Sequence, residues 1–531
     1  MITAAGSGYS RWRDIAITRW RDDTTCDDTG SYIFLRDVAS GHGWSAAFQP
    51  SAVEPQSYNV SFAEDHAEFV RRDGAIETHL DVMVSLADQA ELRRVSLTNH
   101  DVTTRDIDIT SYAEILLATA ASDAAHPAFS NLFIETEFVA ARETLLATRR
   151  RGAPEDFEIW LAHVIAPEGE TIGELEWETR REQFVGRGRS VRAPQAERNG
   201  ERLSNSVGSV LDPIVSLRRR LRIRPGETVR IVFSTLVAPS RDAVLALADK
   251  YRAASTFESL VAARTQSQFL SHHRRFEPGE PQLFQTLAGH VLYPDKMLRV
   301  AADIVARQTE GVEALWANAI SGDLPIVLLV LDDASHVDIA RQLLRAHAYW
   351  RSKCLAVDLV LVNEITGEDG TSLQSLVEGL IGAVEPALSP EGSKSQGTTF
   401  AFRADKLTSA QRDVLESVAR VWLSSRRGTL AEQVAAVAGP DGIAPPCPVR
   451  IAGTPTTVAG TAVPTSQLEF FNGFGGFDRD GREYVTILRP GQWTPAPWIN
   501  VIANADFGCL VSECGSGCTW SINSQQNLLT N

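Results

Sequence analysis

Through the first 238 residues of this chain, apolar side chains recur at every second position, segment after segment. Tyr58, Val60 and Phe62 alternate with polar neighbours. Ile76, Leu80, Val82, Val84 and Leu86 follow on one face after an Asp73-Gly74 turn, and Val95, Leu97, Ile107 and Ile109 continue the pattern. A period of two is that of an antiparallel strand with one buried face. So many strands in one stretch predict a large sandwich rather than a small barrel. Val229–Val237 is the last strand, closed by Pro239-Ser240.

Helical spacing then takes over. Ser240 is an N-cap for Arg241–Tyr251, whose Val244, Leu245 and Leu247 mark an apolar face, and further helices are predicted over Thr256–Leu270 and Pro281–Leu292. From about 320 to 437, apolar runs alternate with amphipathic ones. Strands are expected at Ile326–Leu331, Val357–Val362 and Thr398–Arg403, and helices at Val337–Lys353, Ser372–Val384 and Ser409–Trp422. That order predicts a small three-layer α/β region with parallel strands. Six prolines between 440 and 466 give linker composition. Tyr484–Leu488, Val501–Ala503 and Leu510–Ser512 read as strands again, after a turn at Asp478-Arg479-Asp480-Gly481.

Charge and hydropathy exclude several classes. With 51 Lys+Arg against 67 Asp+Glu, the net charge of −16 has the wrong sign for a protein that tracks phosphates, so no nucleic-acid partner is expected. No uninterrupted apolar run exceeds the six residues of Ile326–Leu331, whereas a bilayer span needs about 20, so no membrane insertion by this chain is expected. The N-terminus lacks the basic start and hydrophobic centre of a signal peptide. Six cysteines in 531 residues are too few for a disulfide framework, and a cytoplasmic, reducing location is the expectation.

The two ends of the chain resemble each other. Ile2-Thr3-Ala4-Ala5-Gly6-Ser7-Gly8-Tyr9-Ser10-Arg11-Trp12 and Val511-Ser512-Glu513-Cys514-Gly515-Ser516-Gly517-Cys518-Thr519-Trp520 share a strand, Gly-Ser-Gly, a hydroxyl two positions on, and a Trp offset by one. Two copies out of phase with the chain ends make the sequence look like a slice of a longer polypeptide.

Several stretches carry a wider resemblance: Ile2–Trp20, Tyr32–Pro50, His126–Phe133, Gly208–Pro213, Ile320–Val327, Leu343–Glu364, Asn472–Gly476 and Thr494–Asn504. In this order they resemble the C-terminal region of bacterial cyclic β-1,2-glucan synthases, which belongs to glycoside hydrolase family 94. The resemblance implies a fold that is mainly β with α/β. Residues 1–238 would form a first β-supersandwich lacking its N-terminal part, 239–319 a helical linker, and 320–438 the α/β region. Residues 439–467 would be a second linker and 468–531 the truncated beginning of a second β-supersandwich. In such synthases the catalytic acid and the phosphate site lie on a following (α/α)6 barrel, so the resemblance assigns no catalytic residue here. The intact synthase would sit at the bacterial inner membrane, transferring glucosyl units and phosphorolysing β-1,2-glucan. This chain would bind that glucan and serve the synthase's other modules. An autonomous β-glucoside phosphorylase or glycosidase, and a structural module without sugar affinity, are the alternatives.

Sugar binding uses aromatic faces for pyranose C–H groups beside planar polar groups for hydroxyls. Tyr9, Arg11, Trp12, Trp20, Arg36, Asp37 and Trp44 supply both near the N-terminus, and Arg187 and Arg189 add donors. The competing reading is that the tryptophans fill the core and Arg36–Asp37 is a structural ion pair. No metal or cofactor is expected. Cys509, Cys514 and Cys518 lack a standard zinc spacing, and Asp478-x-Asp480-Gly481 lacks the remaining ligands of a calcium loop. Asp332-Asp333-Ala334-Ser335 has no glycine for a pyrophosphate and would repel it. His272-His273-Arg274-Arg275 reads as a solvated basic turn, and His126 as a hydrogen-bonded core residue.

Overall fold

The computed structural model describes residues 1–21, 27–63, 66–125, 127–152, 158–198, 200–253, 255–262, 276–277, 279–311, 313–332, 337–353, 355–384, 397–437, 468–489, 491–525 and 527–530. They divide into two units, one of Met1–Ser61, Ala67–Phe257 and Arg450–Asn531, the other of Phe62–His66 and Glu258–Val449. The fold is mainly β with an α/β region.

The first unit contains two large sheets. One has seven strands, in the order Arg11–Trp12, Ile15–Thr18, Arg105–Ala118, Pro213–Ile223 and Glu170–Arg180, with Ser31–Asp37 also paired to Arg105–Ala118 and to Gly43–Ser45. The other has nine, running Gly208–Ser209, Ile134–Val139, Thr144–Arg149, Trp160–Glu168, Thr228–Ala238, Ala90–Asn99, Ile76–Val84, His66–Asp73 and Ser57–Phe62. The predicted alternation decides which faces meet. Ile107, Ile109, Leu217 and Leu221 of one sheet and Val95, Leu97, Leu161 and Ile231 of the other are fully buried. Ser111 of the first sheet hydrogen-bonds His163 of the second at 2.8 Å, so the interior is a sandwich core with a polar inclusion. Neighbours in the strand face the other way and form charged ladders. Arg220 pairs with Asp108 at 2.7 Å and Arg222 with Asp106 at 2.9 Å, each pair directly opposite in register.

One part of the alternation fails. Val84 and Leu86 are exposed at 54% and 59%, because Val84 ends its strand and the chain there leaves the buried face. After the sandwich, Ser240 caps Arg241–Tyr251 by accepting from Ala243 N–H. The next helix is described only over 255–262, and a third spans Glu280–Leu292.

In the second unit four parallel strands lie in the order Thr399–Arg403, Asp358–Asn363, Ile326–Leu331, Val421–Ser424. Val327, Leu329 and Leu331 point into a core shared with helices Glu280–Leu292 and Val337–Ser352. Ile326 and Leu328 point into another, shared with helix Ser409–Val418. Both faces of the sheet are therefore covered, as all-parallel sheets require. The fourth strand corrects the sequence reading, which ran one helix from Ser409 to Trp422. The helix stops at Val418, and Val421, Trp422 and Leu423 pair with Val327–Leu329. Branched and aromatic residues at a sheet edge outweigh a helical spacing that two turns had established.

Residues 468–530 form a two-stranded pair, Gly475–Phe477 with Tyr484–Thr486, and a three-stranded sheet of Ile499–Ala503, Phe507–Ser512 and Gly517–Ser521. Asp478 shapes the intervening turn by accepting from the N–H groups of Arg482 and Glu483. The repeat seen in the sequence is a repeated turn in space. Ile2 bridges Gly8 as Val511 bridges Gly517. Thr3 N–H donates to Ser7 O at 2.8 Å as Ser512 N–H does to Ser516 O at 2.7 Å. Gly6 N–H reaches Thr3 O, and Gly515 N–H reaches Ser512 O, both at 3.0 Å. Gly6 and Gly515 hold φ near +94° and +88°, a region that favours glycine. A Cβ on Gly8 would overlap the Met1 carbonyl, and one on Gly517 that of Leu510.

Candidate carbohydrate-binding cleft

Helix Arg181–Val185 ends at Gly186, whose N–H returns to Glu182 O, and the chain turns through Arg187 and Gly188. Both ends of this loop are anchored. Phe184 is fully buried, with its ring 4.9 Å from that of Tyr112 and 5.8 Å from that of Phe34, and Val191 and Ala196 join the same apolar cluster. The loop is thus a fixed wall rather than a free tip.

Across from it stands Trp493. Gly188 has φ +73°, and a Cβ there would lie 2.9 Å from the indole ring, so the loop backbone packs directly on part of the indole. The indole remains 48% exposed. Beside it Arg187 donates to Glu513 Oε1 at 2.7 Å and to the Thr494 carbonyl at 3.4 Å, while the Thr494 hydroxyl also donates to Glu513. The hydrogen bond from Thr494, reinforced by the Arg187 charge, holds the Glu513 carboxyl below the usual glutamate range. Arg189 lies back along its own loop, donating to Ala193 O at 3.3 Å. Arg187, Gly188, Arg189, Ser190, Ala193 and Trp493 line a cleft of about 370 Å³. A partly exposed Trp493 in a cleft also lined by Arg187 and Arg189 offers a flat face for pyranose C–H groups and arginine donors for hydroxyls. No lining residue carries a carboxylate, whereas glycoside hydrolysis needs a facing pair.

The other sequence candidates lie elsewhere. Trp44 is 2% exposed, and its indole N–H donates to Thr78 within the core. Arg36 and Asp37 are adjacent in one strand and so face opposite ways. They do not pair with each other: Arg36 reaches Asp108 at 3.5 Å, and Asp37 takes Arg105 at 2.8 Å and the Ala39 N–H. Burial and these partners assign Trp44, Arg36 and Asp37 to the sandwich itself. Tyr9 packs on Trp20 with ring centroids 5.7 Å apart, Arg13 lies over the Trp12 ring, and Arg11 is exposed on the short strand Arg11–Trp12. Arg187 and Arg189 share a cleft with one aromatic, Trp493, and it is Gly188 between them that packs on its ring. The local signal for it was an aromatic between Gly491 and Pro495 in a loop. The sheet register puts Cys509 opposite Thr519 and Cys518 opposite Leu510, on opposite faces, with Cys514 in the turn, so the three thiols do not converge. Asp332 is bound by Ser425 and Arg426. His126, His272–Arg275, Asp333–Ser335 and the 439–467 linker lie outside the described residues.

Gly188→Ala is expected to drive Trp493 off the loop and to strain a positive-φ position. We expect it to lower stability by about 1–3 kcal/mol in chemical denaturation. Wild-type stability would show that the indole is not seated on Gly188.

Over 541 aligned positions, covering 100% of this chain, the sequence is 37% identical to the cyclic beta-(1,2)-glucan synthase NdvB of Rhizobium meliloti, although it spans only 19% of that protein's length. It is 25% identical over 240 residues to an N,N'-diacetylchitobiose phosphorylase of Vibrio proteolyticus, covering 44% of this chain and 29% of the relative. A solabiose phosphorylase of Paenibacillus borealis is 23% identical over 200 residues, covering 37% of this chain and 24% of the relative. The supersandwich domain of glycosyl hydrolase 94 matches residues 1–254 and 482–531, more than half of the sequence, and the chain belongs to that family.

Proposed function

We propose that this chain is a non-catalytic glycan-binding region of a glucan-processing protein, taking a β-glucan, specifically β-1,2-glucan, at the cleft beside Trp493. The observation that carries the reading is the half-exposed Trp493 in a cleft that Arg187 and Arg189 also line. The full-length similarity to a cyclic glucan synthase supports β-1,2-glucan as the ligand. Glucosyl transfer and phosphorolysis would then belong to other modules of the same polypeptide, which this region would supply with glucan. Tyr9, Arg11 and Trp12 are proposed as a second, peripheral contact, because they stay at least partly exposed. No helix among the described residues is long and apolar enough to cross a membrane.

Calorimetric titration with linear β-1,2-glucooligosaccharides, with phosphate present and products followed by chromatography, tests this. The expected result is saturable heat without new products. Trp493→Ala should weaken binding by about 10-fold or more, since an aromatic anchor in a binding site is worth roughly 2 kcal/mol. Release of glucose 1-phosphate or shortened glucan would place catalysis within the chain and sink the proposal. Absence of heat would leave a structural module.

A further inference from the structure

A separate group of side chains gathers on the nine-stranded sheet. His79 and Asp81 are two residues apart on strand Ile76–Val84 and therefore share a face, while Leu80 and Val82 point into the core. Glu68 stands on the neighbouring strand His66–Asp73. One ligand atom from each of Glu68, His79 and Asp81 lies within 4.8 Å of the other two, and His79 Nε2 is 3.0 Å from Glu68 Oε1. His79 and Glu68 are each about one third exposed, leaving an entry path and room for water.

Arg94 supports this arrangement from behind. It lies directly opposite Asp81 in register, and its Nε and Nη2 both donate to Asp81 Oδ2, at 3.1 and 3.0 Å. Its guanidinium is held 4.1 Å from the centroid of the Phe257 ring. A carboxylate fixed through one oxygen presents the other, and outer hydrogen bonds of this kind orient ligands in metal sites. Two carboxylates, one arginine and a neutral imidazole leave a single negative charge, which a divalent cation would reverse. One imidazole nitrogen with two carboxylate oxygens suits zinc and its first-row neighbours rather than calcium or magnesium, which prefer all-oxygen sets.

We propose that Glu68, His79 and Asp81 form a three-ligand site for a divalent transition-metal ion, completed by water and oriented by Arg94. On binding, the ion takes the imidazole nitrogen that faces Glu68 and the ring's one proton sits on the other nitrogen, so that the imidazole ligates neutral. The pattern His79-x-Asp81 is legible in the sequence, but its third ligand comes from another strand.

The test is titration of the full chain with Zn2+ by calorimetry and with Co2+ by absorbance. We expect one saturable site of micromolar strength whose cobalt spectrum has d–d bands and no thiolate charge-transfer band. His79→Ala should weaken binding about 10-fold or more, and Glu68→Gln, which keeps size and shape, should weaken it in the same direction. Both positions are partly exposed, so circular dichroism should confirm that the variants fold. The proposal is overturned by lack of saturation at millimolar metal, by wild-type affinity in both variants, or by a thiolate band that places the metal on cysteine.

Discussion

Arg71→Ala is expected to destabilise the first unit by about 3–5 kcal/mol, the largest loss we foresee for any single substitution in the sandwich. Arg71 is completely buried, on a strand where polar residues would ordinarily face out. Its guanidinium makes a two-pronged contact with Asp73, at 2.7 and 2.6 Å, and it donates to the carbonyls of Ala47 at 2.6 Å and Val53 at 3.1 Å. The side chain thus ties the loop between those two carbonyls to the sheet and neutralises Asp73, whose own side chain is 3% exposed. Truncation leaves a buried carboxylate without its counter-charge, takes the arginine's N–H from the Val53 carbonyl and leaves the Ala47 carbonyl with Ser45 Oγ, and unsatisfied buried groups cost more than made bonds contribute. Chemical denaturation measures the loss. The double variant Arg71→Met/Asp73→Asn separates charge from packing. It should recover part of the stability, since replacing both members of a buried pair is far milder than removing one, but not all, because the Ala47 and Val53 carbonyls still lack the arginine's N–H groups. A loss below about 1 kcal/mol for Arg71→Ala would mean that water or loop movement satisfies these groups.

Arg71 also illustrates which features a sequence displays. The sandwich was legible because its strands obey one local rule, alternation, and the core residues Val95, Leu97, Ile107 and Ile109 follow it. The Ser240 cap and the Gly-Ser-Gly turn were legible for the same reason, since each is built within a few residues. Where burial depends on distant partners, residue type stops being informative. Trp44 and Trp493 are the same residue in similar company, yet one is 2% and the other 48% exposed. Arg36 finds its counter-charge 72 residues away, and Arg187 and Glu513 are separated by 326. Spacing carries no trace of such pairs. The strand Val421–Ser424 was missed on similar grounds, because its partner strand is nearly a hundred residues upstream.

Acid should destabilise both units between about pH 6.5 and 4, chiefly through one fully buried histidine in each, with the half-buried His290, also pushed down by burial, adding to the loss in the second. His163 lies between the two sheets, with Ser111 Oγ 2.8 Å from Nε2 and Thr235 Oγ1 3.1 Å from Nδ1. His347, in helix Val337–Ser352, donates from Nε2 to the Val357 carbonyl at 2.8 Å and has Thr399 Oγ1 at 3.2 Å from Nδ1. Both nitrogens of each ring are occupied by groups without a full charge, so an added proton gains no counter-ion in contact with the ring. Burial pushes each imidazole down to about 4 from an ordinary value of 6.5. A depressed folded value sets the direction. Above pH 6.5 the ring is neutral in both states, and the stabilisation from burying it neutral is complete. As the pH falls below 6.5 the unfolded chain takes up a proton that the folded chain refuses, so stability declines until about pH 4. The difference between 6.5 and 4 corresponds to a loss of about 3 kcal/mol for each histidine. Carboxylates held low, such as Glu114 and Glu280, begin to lose their contribution only as the pH falls to the ordinary glutamate value, below the range from pH 8 to 5. Unfolding free energies measured by chemical denaturation from pH 8 to 5 should therefore fall by roughly one proton's slope in each unit's transition. His347→Asn should weaken the second unit's dependence, leaving the smaller share of His290, and should leave that of the first intact. Curves that stay level from pH 7 to 5, or imidazole NMR titrations with midpoints above 6, would show that water reaches these rings and that the two cores open more readily than their packing implies.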